Sequence, residues 1–289
     1  ICNNCPRKCN IDRESALGFC KSPQGFTLSR AALHYWEEPC ISGKNGSGAV
    51  FFSGCNLRCV FCQNYEISHL NKGVEVSEKR LIEIFENLVS QGANNINLVN
   101  PSHYAYQLSK VLSSWKAPVP IVYNTSGYDD VDALKSLEGL VDIYLPDFKY
   151  IRPAKAKKYS SAYDYPEVSK LALAEMRRQQ KNDAFDDSGI MQRGMIIRQL
   201  ILPSNTNSSL EAMDYLHTNF EDTYISLMAQ YTPYGDLSNC SELNRKISKR
   251  EYEKVLNHAL GIGHDKLFLQ ELSSADISFI PKFDFTGII

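Results

Sequence analysis

The sequence predicts an α/β fold, an incomplete barrel of about six strand–helix repeats, (β/α)6, behind a small cysteine-rich N-terminal appendage. Three observations carry this reading. From about residue 49 onward, short apolar strand-like runs alternate with helical periodicity, the signature of βαβ units on a parallel sheet. About six such repeats can be counted, too few for a closed eight-stranded barrel. Residues 1–48 break the pattern, being turn-rich and holding four cysteines within the first 20 positions. The expected division is therefore 1–48 as the appendage and 49–289 as the barrel.

The elements follow in order. Ala49-Val50-Phe51-Phe52 is a buried-strand run that ends at Ser53-Gly54. Leu81, Ile84, Phe85, Leu88 and Val89 then share one helical face, with Ser77 as N-cap and Gly92 as the stop. Strands are expected at Ile96–Val99, Pro120–Tyr123, Val141–Leu145, Met195–Leu202 and Tyr224–Ala229, and helices fit between them at roughly 104–115, 130–137, 164–181 and 208–219. Asp183–Gly189 reads as an exposed loop. Ser248 and Glu251 have capping-box spacing and open a last helix that carries Tyr252, Val255, Leu256, Ala259 and Leu260 on one face and ends at Gly261.

Composition excludes several classes. Across 289 residues, 31 Lys+Arg against 33 Asp+Glu leave a formal net charge of −2, which argues against an electrostatic grip on nucleic acid or anionic lipid. No apolar stretch approaches the ~18 residues of a membrane span. Nine cysteines, an odd number gathered in tight clusters, fit metal ligation in a reducing cytoplasm better than a disulfide framework.

The densest cluster is Cys55-Asn56-Leu57-Arg58-Cys59-Val60-Phe61-Cys62, directly after the first barrel strand. Three thiolates in eight residues can occupy three corners of an iron–sulfur cube and leave the fourth iron open to an external ligand. A zinc knuckle or a chance group of buried thiols is the competing reading; His69 is the sole nearby candidate for a fourth zinc ligand.

Cys-x3-Cys-x2-Cys with Phe61 just before the last cysteine resembles the radical S-adenosylmethionine (SAM) superfamily. The surrounding Phe52-Ser53-Gly54-Cys55-Asn56-Leu57 and Phe61-Cys62-Gln63-Asn64 are similar to proteins related to the pyruvate formate-lyase activating enzyme, over a span from about Trp36 to Ala259. The resemblance implies a partial TIM-like barrel with a [4Fe-4S] cluster on Cys55, Cys59 and Cys62. Its open iron would chelate SAM, and one electron from reduced flavodoxin or ferredoxin would release a 5′-deoxyadenosyl radical. The implied reaction is anaerobic abstraction of hydrogen from a glycine of a partner glycyl-radical enzyme. Phe61 would pack near the adenine, or serve simply as a core aromatic.

Polar residues at the strand ends are the next candidates, because parallel barrels carry their sites there. Asn100 and Ser102 stand where the superfamily commonly has a Gly-Gly-Glu-like turn for the methionyl amino group, so the contact would come from backbone carbonyls or from these two side chains; a plain turn with Ser102 as helix N-cap is the alternative. Asn124 replaces an acidic residue of the activases and keeps only a neutral hydrogen-bonding role. Asp147 and Lys149 continue the face of Val141, Ile143 and Leu145, and the activases have a matching Asp-Leu-Lys turn. They suit the two ends of an amino-acid zwitterion, or else form an internal ion pair. Arg198 interrupts an apolar strand and needs an anionic partner, either cofactor or carboxylate. Thr232 stands where activases often carry a histidine near the ribose.

Cys2, Cys5, Cys9 and Cys20 supply four thiols to a segment too short to build its own core, so a metal is a natural staple. Tetrahedral zinc and a second iron–sulfur cluster suit four thiolates equally; a structural role tips the reading toward zinc. The functional expectation is thus a radical enzyme of the activase type. Its rivals are a radical enzyme acting on a small molecule or peptide and a non-catalytic iron–sulfur or zinc metalloprotein.

Overall fold

The computed structural model describes residues 1–276 and 280–289, and among them ten strands form one open sheet. In chain order these are β1 (Phe26–His34), β2 (Ser47–Phe52), β3 (Val74–Val76), β4 (Ile96–Val99), β5 (Ile121–Thr125), β6 (Ile143–Pro146), β7 (Ala184–Phe185), β8 (Met191–Leu200), β9 (Tyr224–Met228) and β10 (Leu267–Leu269). Their spatial order is β10-β9-β8-β6-β5-β4-β2-β1-β3, with β7 on the side of β8. Every neighbouring pair from β2 to β10 along that path is parallel, whereas β1 pairs antiparallel with both β2 and β3.

The six expected strands are β2, β4, β5, β6, β8 and β9, and the sheet does not close. The very short β10 adds a seventh parallel strand. β1 draws part of the 1–48 segment into the sheet, so the cysteine-rich stretch that stays outside it ends before Phe26. The 183–189 loop contains β7, a two-residue exposed pairing.

Nine helices lie among the described residues: α1 (Pro39–Ser42), α2 (Tyr65–Ser68), α3 (Glu78–Ser90), α4 (Ala105–Ser114), α5 (Val131–Lys135), α6 (Pro153–Ser160), α7 (Tyr165–Gln179), α8 (Thr206–Asn219) and α9 (Lys249–Gly261). Ser77 caps α3 through Arg80 N–H at 3.1 Å, and Ser248 with Glu251 forms the full capping box of α9. Leu81, Leu108, Leu134, Leu173, Leu216 and Val255 of the helices join the main core with strand residues such as Leu98, Tyr123, Tyr144, Ile197 and Leu227.

Alternate strand residues face the other way, as the two-residue period requires. Val122, Ile143, Leu145 and Ile196 pack there against Cys40 and Ile41 of α1. Asn95 Nδ2 donates to Ile41 O at 2.8 Å and Asn94 Nδ2 to Ser42 O at 2.7 Å. Both asparagines directly precede β4, so α1 stoppers the interior where the parallel strands begin. The chain just before α1 then runs upward, inside.

Candidate active site

A cavity of about 240 Å³ opens at the opposite, C-terminal ends of the strands, and its lining includes Cys59, Cys62, Phe61, Asp147, Lys149 and Arg198. The loop after β2 builds one wall. Gly54 turns it with φ +83°, and Arg58 takes a left-handed φ of 55°. This curls the amides of Leu57 and Arg58 onto Cys55 Sγ, at 3.3 and 3.5 Å. Ser160 Oγ donates to Cys59 Sγ at 2.9 Å, and Ser68 Oγ donates to Cys62 Sγ at 3.3 Å.

All three sulfurs thus accept hydrogen bonds, the environment of thiolate ligands rather than of inert core thiols. Burial pushes the Cys55 thiol up to about 11 and the Cys62 thiol up to about 12, so a bound cation is needed to hold them as thiolates at neutral pH. The donor set fits an iron–sulfur cluster.

The opposite wall is a chain of charges. Arg198 Nε donates to Asp147 Oδ1 at 2.8 Å, Nη2 to Asn124 Oδ1 at 2.6 Å and Nη1 to Glu37 Oε2 at 3.3 Å. Lys149 Nζ donates to the second oxygen of Asp147. Glu37 Oε1 accepts from Asn97 Nδ2 at 3.0 Å and Asn124 Nδ2 at 3.1 Å. β6 and β8 set this geometry, because Asp147 and Arg198 face each other as a parallel bridge and Phe148 N–H donates to Arg198 O at 2.8 Å.

Burial acts to lower the pKa of Arg198, but Asp147, Glu37 and Glu38 more than offset it and raise it. Lys149 is likewise raised, with burial outweighed by Asp147 and Cys59. Burial would raise Asp147, yet Arg198 and Lys149 hold it below its usual range. Burial lifts the Glu38 carboxyl above its ordinary range, and its Oε2 has no hydrogen-bond partner.

Asp147, Lys149, Arg198 and Asn124 therefore meet at one place, and the internal ion pair offered as an alternative for Asp147 and Lys149 is present. Phe61 packs edge-on against Tyr231 at 5.7 Å and lines the cavity, as does Thr232, whose buried Oγ1 lacks a partner. Asn100 and Ser102 are placed elsewhere. Asn100, left-handed at φ 60°, donates to Gly54 O at 2.5 Å. Ser102 is buried against Thr125 Oγ1 at 2.9 Å, and Thr125 donates to the buried Asp129. Both side chains brace the strand ends behind the cavity.

Sequence reasoning missed Glu37, Glu38 and Asn97. The available signal was a pair of adjacent carboxylates between β1 and the apolar Cys40-Ile41, but with β1 unrecognised they read as part of a turn-rich appendage.

Comparison with known proteins now decides the family. The radical SAM superfamily matches residues 49–232, well over half of the chain. This chain belongs to that superfamily. An uncharacterized protein of Methanocaldococcus jannaschii is 28% identical over 268 residues, covering 89% of this chain and 74% of the relative. Among solved structures, Streptococcus suis SuiB with its precursor peptide SuiA superposes with a TM-score of 0.54 at 11% identity, over 76% of this chain and 48% of that one. SuiB without the peptide gives 0.50 at 11% identity, over 79% and 50%. The chain spans about half the length of SuiB, and at this identity the likeness concerns the fold. Membership in the superfamily implies an enzyme with a [4Fe-4S] cluster and SAM. No helix among the described residues is long and apolar enough to cross a membrane.

Proposed function

We propose that this radical SAM enzyme takes hydrogen from a glycine of a partner protein, as a glycyl-radical activase does, in an anaerobic cytoplasm with reduced flavodoxin or ferredoxin as electron donor. Cys55, Cys59 and Cys62 would hold the cluster. Together, cluster and SAM supply a 5′-deoxyadenosyl radical.

The observation that carries the reading is the meeting of two hydrogen-bonded thiols, Cys59 and Cys62, with one buried charge network in a single cavity, next to the hydrogen-bonded Cys55 on the same loop. Lys149 and Arg198 offer cationic donors to a carboxylate, and Asp147 accepts from an ammonium. Phe61 and Tyr231 provide apolar surface for a flat ring, and Thr232 a free hydroxyl for a sugar. Exchange of internal for ligand ion pairs keeps every buried charge compensated when the ligand enters. Glu37, anchored to two asparagines, keeps Arg198 in place during that exchange. The activase assignment itself rests on the sequence around Cys55 and Cys62.

A second reading, a small molecule or peptide as target, is favoured by Glu37 and Glu38, which add polar groups to the cavity wall that a bound SAM need not fill. An EPR doublet on a candidate protein partner supports the first reading; hydrogen loss from a small molecule with no such doublet supports the second.

The shared core of both readings has a direct test. Anaerobically reconstituted chain given dithionite and SAM is expected to release 5′-deoxyadenosine, and Cys59→Ala is expected to release none above the protein-free control. Equal release by Cys59→Ala would defeat the assignment of these ligands.

A further inference from the structure

The first 25 residues precede the sheet, yet they are folded tightly and seated on the cluster loop. Cys2 N–H donates to Ile11 O at 2.6 Å and Asn10 N–H to Cys2 O at 3.1 Å, bringing the two ends of the first turn together. Lys8, Asn10 and Lys21 take left-handed φ values of 40°, 53° and 57°, each one residue after or before a cysteine. Such strain in non-glycine residues persists where the surroundings demand it. Phe19 N–H donates to Cys9 Sγ at 3.5 Å, so the loop carrying Cys20 closes over the loop carrying Cys9. Cys5 and Cys20 are buried, Cys2 and Cys9 half-buried, and all four are free thiols.

The seat is equally specific. Arg7, lying 3.9 Å over the Phe19 ring, donates from Nε to Asn56 O at 2.8 Å and from Nη1 to Ser161 O at 2.7 Å. Its Nη2 reaches Ser160 O at 3.2 Å, and Ser160 is the residue that donates to Cys59 Sγ. Ser22 Oγ donates to Ser53 O at 3.2 Å, and a Cβ on Gly54 would stand 2.7 Å from Cys20 O. The segment holding the four thiols therefore touches the backbone on both sides of Cys55.

We propose that Cys2, Cys5, Cys9 and Cys20 hold a second metal centre, an iron–sulfur cluster ligated wholly by protein, whose binding locks the loop that carries Cys55 and Cys59. Four thiolates leave no iron open to SAM, so this centre does not bind the cofactor. An inorganic core is preferred to zinc because the quartet repeats the device of the Cys55 loop, a backbone amide aimed at a cysteine sulfur. A metal would add a staple to a segment too short to build its own core and otherwise held by polar contacts such as those of Arg7 and Ser22.

The proposal stands apart from the choice of radical target, and its test is independent of turnover. The full chain carrying Cys55→Ala, Cys59→Ala and Cys62→Ala is reconstituted anaerobically with ferrous iron and sulfide. It is expected to retain about four irons and four sulfides per chain, to give an EPR signal with dithionite that SAM leaves unchanged, and to show slower hydrogen exchange than the metal-free protein at Gly54 and Val60, whose amides donate to the backbone carbonyls of Ile67 and Tyr159. Retention of no iron, or of one zinc per chain in its place, would overturn the proposal. So would exchange at those amides that is indifferent to iron loading. Loss of the iron on adding Cys5→Ala and Cys20→Ala to the triple variant is expected, and iron that survives those changes would also refute the quartet as its ligands.

Discussion

At the scale of residues, Arg198 and His103 show opposite uses of a buried titratable group. Arg198 is compensated on two sides by Asp147 and Glu37, with about a tenth of its side chain exposed. Removing one member of such a network leaves charges buried without a partner, at a cost of about 3 kcal/mol or more. Arg198→Met is therefore expected to lower the unfolding free energy from urea denaturation by that amount, and with it the midpoint, and Arg198→Met with Glu37→Gln to recover part of it. A midpoint unmoved by Arg198→Met would show that the network contributes nothing to stability.

His103 is buried and neutral, with Nε2 2.8 Å from Ser53 O, and burial holds it down at about 3. The unfolded chain, with histidine near 6.5, binds a proton that the folded chain refuses, so this group subtracts stability as pH falls from about 6.5 toward 3. The slope is ~1.4 kcal/mol per pH unit. Between pH 7 and pH 5 the stability difference between the native chain and His103→Gln should shrink by about 2 kcal/mol. A difference independent of pH would mean that His103 is protonated in the fold. Asp147, Lys149 and Arg198 were legible in the sequence because charges interrupt apolar runs there. Glu37 was not, since its partners are brought to it by β4, β5 and β8.

At the scale of elements, the parallel strands were readable because each is an apolar run followed by a turn and a helix with strong periodicity. β1 was lost because Arg30 and partly polar neighbours dilute its pattern, and β10 because three residues carry no period. α1 is four residues long, too short to announce itself, yet Cys40 and Ile41 stopper the strand-start end of the interior and aim Glu37 up it. Ile41 is fully buried, so Ile41→Ala is expected to cost about 2–5 kcal/mol. Because the plug positions Glu37, the same change should weaken SAM binding in a calorimetric titration of the reconstituted enzyme. Unchanged affinity in a destabilised Ile41→Ala chain would separate the plug from the site.

At the scale of the whole molecule, three layers converge on one loop: the parallel sheet supplies charges, the helices hold the strand ends, and the N-terminal segment clamps Cys55 from outside. The order of these parts along the chain hid the last relation, because no local spacing tells that Arg7 will meet Asn56 and Ser160. The central claim is that the cysteines of this loop hold a cluster with an iron free for SAM. EPR of the anaerobically reconstituted, dithionite-reduced chain, recorded before and after addition of SAM, tests it most directly. The account predicts that SAM alters the cluster spectrum and that Cys62→Ala abolishes the alteration; a fully reduced, intact cluster whose spectrum ignores saturating SAM would contradict it.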